Sequence, residues 1–224
     1  MSDIDLIINA AKQSRVRHDE YYATHGVRHL VAFIGIPGSG KSTQAEELLR
    51  KISKYKKDVH HINVGQALRD SGDKEVIDIM NSGKLAPDNL VFRVLENKLK
   101  EVGDGYIVLD GFFRTANESN WLLENQKKLN IDVQALVDIK LSDEEATKRL
   151  KGRGRDDDDD SDIKLRLQVF KENELEVLEN VKSHQIWVLE VDGEQSVEEI
   201  SGYIYSELGE WIYMPGWREE VLSE

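Results

Sequence analysis

The sequence predicts an α/β fold: a five-stranded parallel sheet with helices on both faces. Three observations predict it. Short continuous apolar runs alternate with segments of helical periodicity, the pattern of parallel strands buried on both sides and joined by crossover helices. The first of these runs ends in the glycine-rich turn GIPGSGKS (35–42), which opens a helix. The chain of 224 residues is 39% hydrophobic and has no cysteine, so a core, not disulfide staples, must hold it together.

The elements follow in order. Ile4, Ile7, Ile8 and Ala11 fall on one helical face, so residues 1–28 read as a helical N-terminal extension. HLVAFIG (29–35) is the first strand, with a helix from Ser42 to about Ser53. VHHINV (59–64) is the second strand. Residues 66–101 read as two or three short helices, broken at Gly72 and at SGKLAPD. GYIVLD (105–110) and DVQALVDIKL (132–141) are the third and fourth strands, with a helix at 118–129 between them. SDEEATKRL (142–150) opens like a capping box, Ser142 standing three residues before Glu145. Leu167, Phe170, Val177 and Val181 keep one helical face from Ile163 to about 182. QIWVLEVD (185–192) is the fifth strand and SVEEISGYIYSEL the last helix. Trp121 and Trp187 are expected in the core, and His60 and His61 are expected to pack or face solvent.

Composition narrows the function. Without cysteine there is no thiolate nucleophile and no cysteine-ligated zinc, which fits a reducing compartment. A net charge of −13 argues against general nucleic-acid binding, so any anion site must come from a local cluster of cations. No apolar run reaches membrane-spanning length. The acidic start is unlike a signal peptide, so a cytoplasmic protein away from membranes is expected.

The turn at 35–42 matches G-x-x-x-x-G-K-[ST] in its required context, after a buried strand and before a helix. Gly35, Pro37, Gly38, Ser39, Gly40, Lys41, Ser42 and Thr43 are candidates to hold a nucleotide polyphosphate such as that of ATP. Backbone N–H groups would cradle it, Lys41 would reach the outer phosphates and Ser42 would bind Mg²⁺. Six arginines, Arg69, Arg114, Arg149, Arg153, Arg155 and Arg166, fall at helix ends or in connections expected at the carboxyl edge of the sheet, where ligands bind in such folds. Phosphoryl transfer needs charge neutralised on both donor and acceptor. A phosphate acceptor is itself largely ionised at neutral pH and needs no general base, so arginines without an obvious catalytic histidine suit a phosphate acceptor better than a hydroxyl.

Six segments in order resemble the adenylate kinase family of nucleoside monophosphate kinases, from about Leu30 to Leu208: GIPGSGKST, NVGQALR, SGKLAPDNLV, VLDGFFRT, RLKGRGRDD with IKLRL, and VDGEQSVEEI. The resemblance implies a kinase domain at 29–208, with a helical acceptor-binding insert at 64–101, a minimal lid at 151–161 and a C-terminal tail at 209–224. It implies transfer of the γ-phosphoryl of Mg·ATP to a nucleoside monophosphate, AMP by default, in a protein expected to be monomeric unless its terminal extensions self-associate. Asp110 would hold Mg²⁺ through water beside Ser42. Arg69 and Arg114 would grip the acceptor phosphate, Arg149 and Arg153 would contact ATP, and Arg155 and Arg166 would bridge the transferring group. Val64, Gly65, Lys84 and Ala86 would lie at the acceptor nucleoside.

The sequence departs from the family pattern in three places. Phe113 stands where the D-G-F-P-R signature has proline, Val64 stands where it has threonine, and the lid is nearly gone. Glu118 stands where the family reads adenine with glutamine. A carboxylate only accepts, which opens GMP or CMP as alternative acceptors, unless Glu118 merely starts a helix. A nucleotide-binding regulatory protein with reduced catalysis and a kinase of a small metabolite are further alternatives. The intact Lys41, Asp110 and arginines argue against the first, and GKLAPD argues against the second. The run RDDDDDSD (155–162) admits two readings: a solvated helix start capped by Ser161 or Asp162, or acids such as Asp157 and Asp158 that pair with the arginines until phosphate displaces them.

Overall fold

The computed structural model describes residues 27–54, 56, 58–153 and 159–211. The expected N-terminal helix, most of the C-terminal tail, and Arg155, Asp157 and Asp158 lie outside the described residues.

Strand β1 (Arg28–Gly35) is buried without interruption from Leu30 onward, as its continuous apolar run requires. It pairs in parallel with β3 (Tyr106–Asp110) on one side and β4 (Ile131–Lys140) on the other. β2 (Val59–Asn63) and β5 (Trp187–Asp192) complete a five-stranded parallel sheet in the order β2-β3-β1-β4-β5. From β1 the chain runs to the edge strand β2, returns to β3 between the two, and then crosses to β4 on the other side of β1. The carboxyl end of β1 therefore lies at the switch point where ligands bind in open parallel sheets.

Each face of the sheet is covered by amphipathic helices. On one face α1 (Lys41–Ile52) and the last helix bury Ala45, Leu48, Ile52, Ile200, Ile204 and Leu208 against Val31, Phe33, Val137 and Val191. The spacing of these residues by three, four or seven puts each set on one stripe. The other face is packed by α2 (Val64–Arg69), α3 (Lys74–Asn81), α4 (Asp88–Glu101), α5 (Ala116–Glu124) and α6 (Gln126–Leu129). A smaller cluster joins Ile36 to Ala146 and Leu150 of α7 (Asp143–Arg153) and to Ile163 and Leu167 of α8 (Asp160–Ser183). Farther along, α8 packs Val177, Leu178 and Val181 into the main core, so one helix ties the site rim to the sheet. The chain closes with α9 (Val197–Trp211), bound to α1 by Gln44 Nε2 donating to the Val197 carbonyl (3.1 Å) and Lys51 Nζ to that of Ser201 (3.1 Å).

The excursion between β2 and β3 is three helices broken at 70–73 and 82–87, as the glycine and proline signals predict. Several local expectations are corrected. Val64 is not the end of β2; it begins α2, because Asn63 caps that helix by accepting from the Gln66 N–H at 2.8 Å. The helix expected at 118–129 is two, divided at Asn125. The capping box at Ser142 is half formed: Ser142 Oγ accepts from the Glu145 N–H, but the Ser142 N–H donates to Glu194 at 3.0 Å, and Glu145 turns to Lys148 and Arg149. α8 is capped by Asp159, which accepts from the N–H groups of Ser161 and Asp162, not by either of those residues. Trp121 and Trp187 lie at the margin of the core, half-buried, with Trp121 stacked on Phe92 at 4.4 Å. His60 and His61 are half-buried within β2.

Candidate active site

The residues after β1 curl because Gly38 and Gly40 adopt φ of 86° and 90°, a region that glycine enters without steric cost. Gly40 is the N-cap of α1, with no side-chain cap, and the first turn of that helix holds no acid. Its N–H groups and dipole are thus open to an anion. Lys41 folds back over the loop and donates to the carbonyls of Gly35 (2.7 Å) and Ile36 (2.9 Å). Burial pulls its ammonium down to about pKa 8. Asp110 opposes that shift, while Arg114, Arg166 and Arg153 add to it. An anion placed beside it would restore its full charge.

Register delivers the carboxylate. Asp110 ends β3 in line with Phe33 of β1 and Asn63 of β2. It is buried, and its Oδ2 accepts from Ser42 Oγ at 2.5 Å and Asn63 Nδ2 at 2.9 Å. A hydroxyl and a buried carboxylate side by side are hard oxygen donors of the kind that share Mg²⁺ with water and phosphate. Among the described residues there is no larger cluster of histidine and acidic side chains able to cage a metal.

Opposite this pair the arginines converge. Gly65 and Gly111 leave room for the Arg114 guanidinium. A Cβ at either would come within 2.9 Å or 3.2 Å of Arg114 Nη2, and at Gly65 it would also lie 3.7 Å from Arg69 Nη1. Arg69 and Arg114 therefore sit side by side over a floor without side chains. Arg153 from the end of α7 and Arg166 from the second turn of α8 line the same cleft, together with Lys41, Gly35, Pro37, Gly38, Gly65, Lys84 and Asp110.

Other expected site residues lie elsewhere. Arg149 is turned toward Glu145, with Nε 2.9 Å from the carboxylate. Val64 and Ala86 are buried in the core, and Ser39 is buried within the loop itself. Gly40, Ser42 and Thr43 occupy the start of α1 without lining the cleft. Glu118 is only 1% exposed, with its Oε2 accepting from the Arg114 backbone N–H at 2.8 Å, and it does not line the cleft. Of the acids in the aspartate run, Asp159 caps α8 and Asp160 pairs with Lys151 at 2.6 Å. Sequence reasoning missed Asn63, Gln66, Met80, Leu85, Phe112, Val169 and Phe170, all of which line the cleft. Asn63 alone carried a usable signal, as an N-cap residue at a strand end.

A phosphate-cradling loop, an adjacent hydroxyl–carboxylate pair and a facing arginine cluster at the carboxyl edge of a parallel sheet define a P-loop phosphotransferase. The adenylate kinase family profile matches residues 33–186. An adenylate kinase of Prochlorococcus marinus strain NATL1A is 33% identical over 183 residues, covering 79% of this chain and 97% of that protein. One from Leptospira biflexa is 36% identical over 129 residues, covering 54% of this chain and 66% of its own. A gluconokinase structure from Sinorhizobium meliloti 1021 shares the fold, with a TM-score of 0.53 at 18% identity over 77% of this chain and 87% of that one. The chain belongs to the adenylate kinase family, the ATP-dependent phosphotransferases of nucleoside monophosphates.

Proposed function

We propose that the protein transfers the γ-phosphoryl group of Mg·ATP to AMP, giving two molecules of ADP. The observation that carries this reading is the convergence of Lys41, Arg69, Arg114, Arg153 and Arg166 on one cleft beside the Ser42–Asp110 pair. The relatives named adenylate kinase support AMP as the acceptor. In this reading the loop and Lys41 hold the donor phosphates, and Arg69 and Arg114 hold the acceptor phosphate. Arg153 and Arg166 neutralise the charge that spreads over the transferring group. Ser42, and Asp110 through water, would hold Mg²⁺, which screens the donor oxygens. The acceptor oxygen attacks the γ-phosphorus as its bond to the bridging oxygen breaks, and ADP leaves. The helical excursion at 64–101 serves as the acceptor-binding insert and 151–161 as the lid.

Glu118, the one residue that favoured GMP or CMP, has its carboxylate committed to the Arg114 backbone. Steady-state ADP formation from ATP with AMP, GMP, CMP and UMP tests the assignment. AMP is expected to give the highest kcat/KM, by tenfold or more, about 1.4 kcal/mol. A higher value for another monophosphate reassigns the acceptor, and turnover with none removes the kinase reading.

A further inference from the structure

We infer that Glu118 is the positioning residue for Arg114: by accepting from the Arg114 backbone N–H it fixes the turn that aims this guanidinium at the acceptor phosphate. The inference rests on the proposed role of Arg114, and it assigns Glu118 no contact with the acceptor base.

The turn from β3 to α5 needs such a hold. Gly111 has φ of 77° and Phe113 has φ of 60°. A left-handed non-glycine residue costs roughly 1–2 kcal/mol and persists only where its surroundings over-determine it. Proline, locked near −65°, cannot take this conformation, so the Phe113 turn differs from any turn with proline at that position. Three contacts secure it. The Phe113 ring is fully buried, edge-on to Phe112 at 5.5 Å. Thr115 caps α5 by accepting from the Glu118 N–H at 3.1 Å. Glu118 closes the loop onto Arg114 at 2.8 Å.

In an ordinary capping box the acid at this helical position reaches back to the N–H of the cap residue itself. Here it reaches one residue further, to the residue whose side chain lines the cleft. The charged groups facing Glu118 are Arg114 from its own turn and Asp88 from the start of α4, and Asp88 accepts from Asn117 Nδ2 at 3.0 Å. Burial pushes the Glu118 carboxyl up to about pKa 7, against the pull of Arg114. The hold thus passes from a neutral to a charge-assisted hydrogen bond, roughly twice as strong, as pH rises through neutrality.

Kinetics and one amide resonance test this on the full chain. At about pH 8, Glu118→Ala is expected to raise the acceptor KM about tenfold or more and to leave the KM for ATP within about twofold. Glu118→Gln, which keeps a neutral acceptor oxygen, should recover most of that loss. Its acceptor KM should exceed wild type a few-fold at about pH 8 and converge with it by about pH 6. The Arg114 amide resonance should titrate near pH 7 in wild type and not in Glu118→Gln, a readout that needs no turnover and survives if the alanine variant fails to fold. An unchanged acceptor KM in a folded alanine variant, parallel pH profiles for glutamine and wild type, or an Arg114 amide insensitive to pH overturns the inference. So does a changed AMP-to-GMP ratio in the glutamine variant, which would make Glu118 a reader of the base. If wild type turns over no monophosphate, the proposed function fails instead, and the amide titration still decides the Glu118 contact.

Discussion

Lys41, half-buried in the cleft, and Glu118, fully buried, have charged states that are linked to pH in different ways. Lys41, drawn down to about pKa 8 in the free site, is only partly charged just above that pH, and polyphosphate restores the full charge. ATP binding at about pH 8.5 is therefore expected to take up protons, and affinity should fall as pH rises through 8. Calorimetry in two buffers of different ionisation enthalpy checks this, and an apparent enthalpy independent of buffer would contradict it. For Glu118 the folded pKa is about 7 against an ordinary 4.5. Its contribution to stability is fully present below about pH 4.5 and is lost as pH rises through 7, because the unfolded chain ionises first. Glu118→Gln should be more stable than wild type at pH 8, by on the order of 3 kcal/mol, and melt at a higher temperature, with the gap closing toward pH 5. The residue that firms up the acceptor site would thus weaken the fold at the same pH. At this scale the phosphate loop was legible, because its conformation is encoded in adjacent glycines. The direction of Glu118 was less so, although T-x-x-E at 115–118 is a capping signal in the sequence itself. The left-handed Phe113 was not legible, since nothing local favours that conformation in phenylalanine.

At the scale of elements, hydrophobic periodicity located all five strands and most helices, because strands buried on both faces leave unbroken apolar runs. Helix starts were harder. In DDDDDSD several neighbouring acids suit an N-cap equally; Asp159 takes the position, and Ile163 and Leu167 of the helix it opens pack with Ala146 and Leu150 of α7. Close contacts between particular helices were not legible. The turn after α3 lies against the start of α8: a Cβ on Gly83, whose φ is 73°, would come within 3.2 Å of the Asp162 carbonyl oxygen. Gly83→Ala combines a left-handed backbone penalty with this close approach. It is expected to cost about 1–2 kcal/mol of stability and to raise the acceptor KM more than the ATP KM. Urea unfolding and steady-state kinetics measure the two effects, and equal changes in both KM values would argue against a role confined to the acceptor side.

The whole molecule carries a net charge of −13, yet its cleft gathers six cations from loops and helices on both sides of the switch point. Such a cleft concentrates field lines on anions that the rest of the surface repels. Because β1, α2, α7 and α8 each place a residue in it, a nucleotide bound there would tie these elements to one another. ATP at about a hundred times its Kd should stabilise the fold by about 2.7 kcal/mol. In a chain of this size that corresponds to a rise in Tm of roughly 5–10 °C. A thermal melt with and without Mg·ATP reads it, and addition of a non-reactive acceptor analogue should raise Tm further. A shift no larger with ATP than with an equal concentration of inorganic sulfate would show that the cleft senses only charge.

The central position of β1 also has a consequence for synthesis. Its partners, β3 and β4, are completed only at Asp110 and Lys140. As the chain leaves a ribosome, the apolar strand 30–34 waits with at least one flank uncovered for the roughly hundred residues that follow, about 5–20 s at ordinary elongation rates. Until then the phosphate loop has no sheet to stand on. Nascent chains stalled with residues up to 110 exposed should bind no ATP and should recruit a chaperone that recognises apolar segments. Both properties should reverse only after Lys140, and with it the second flank of β1, has emerged.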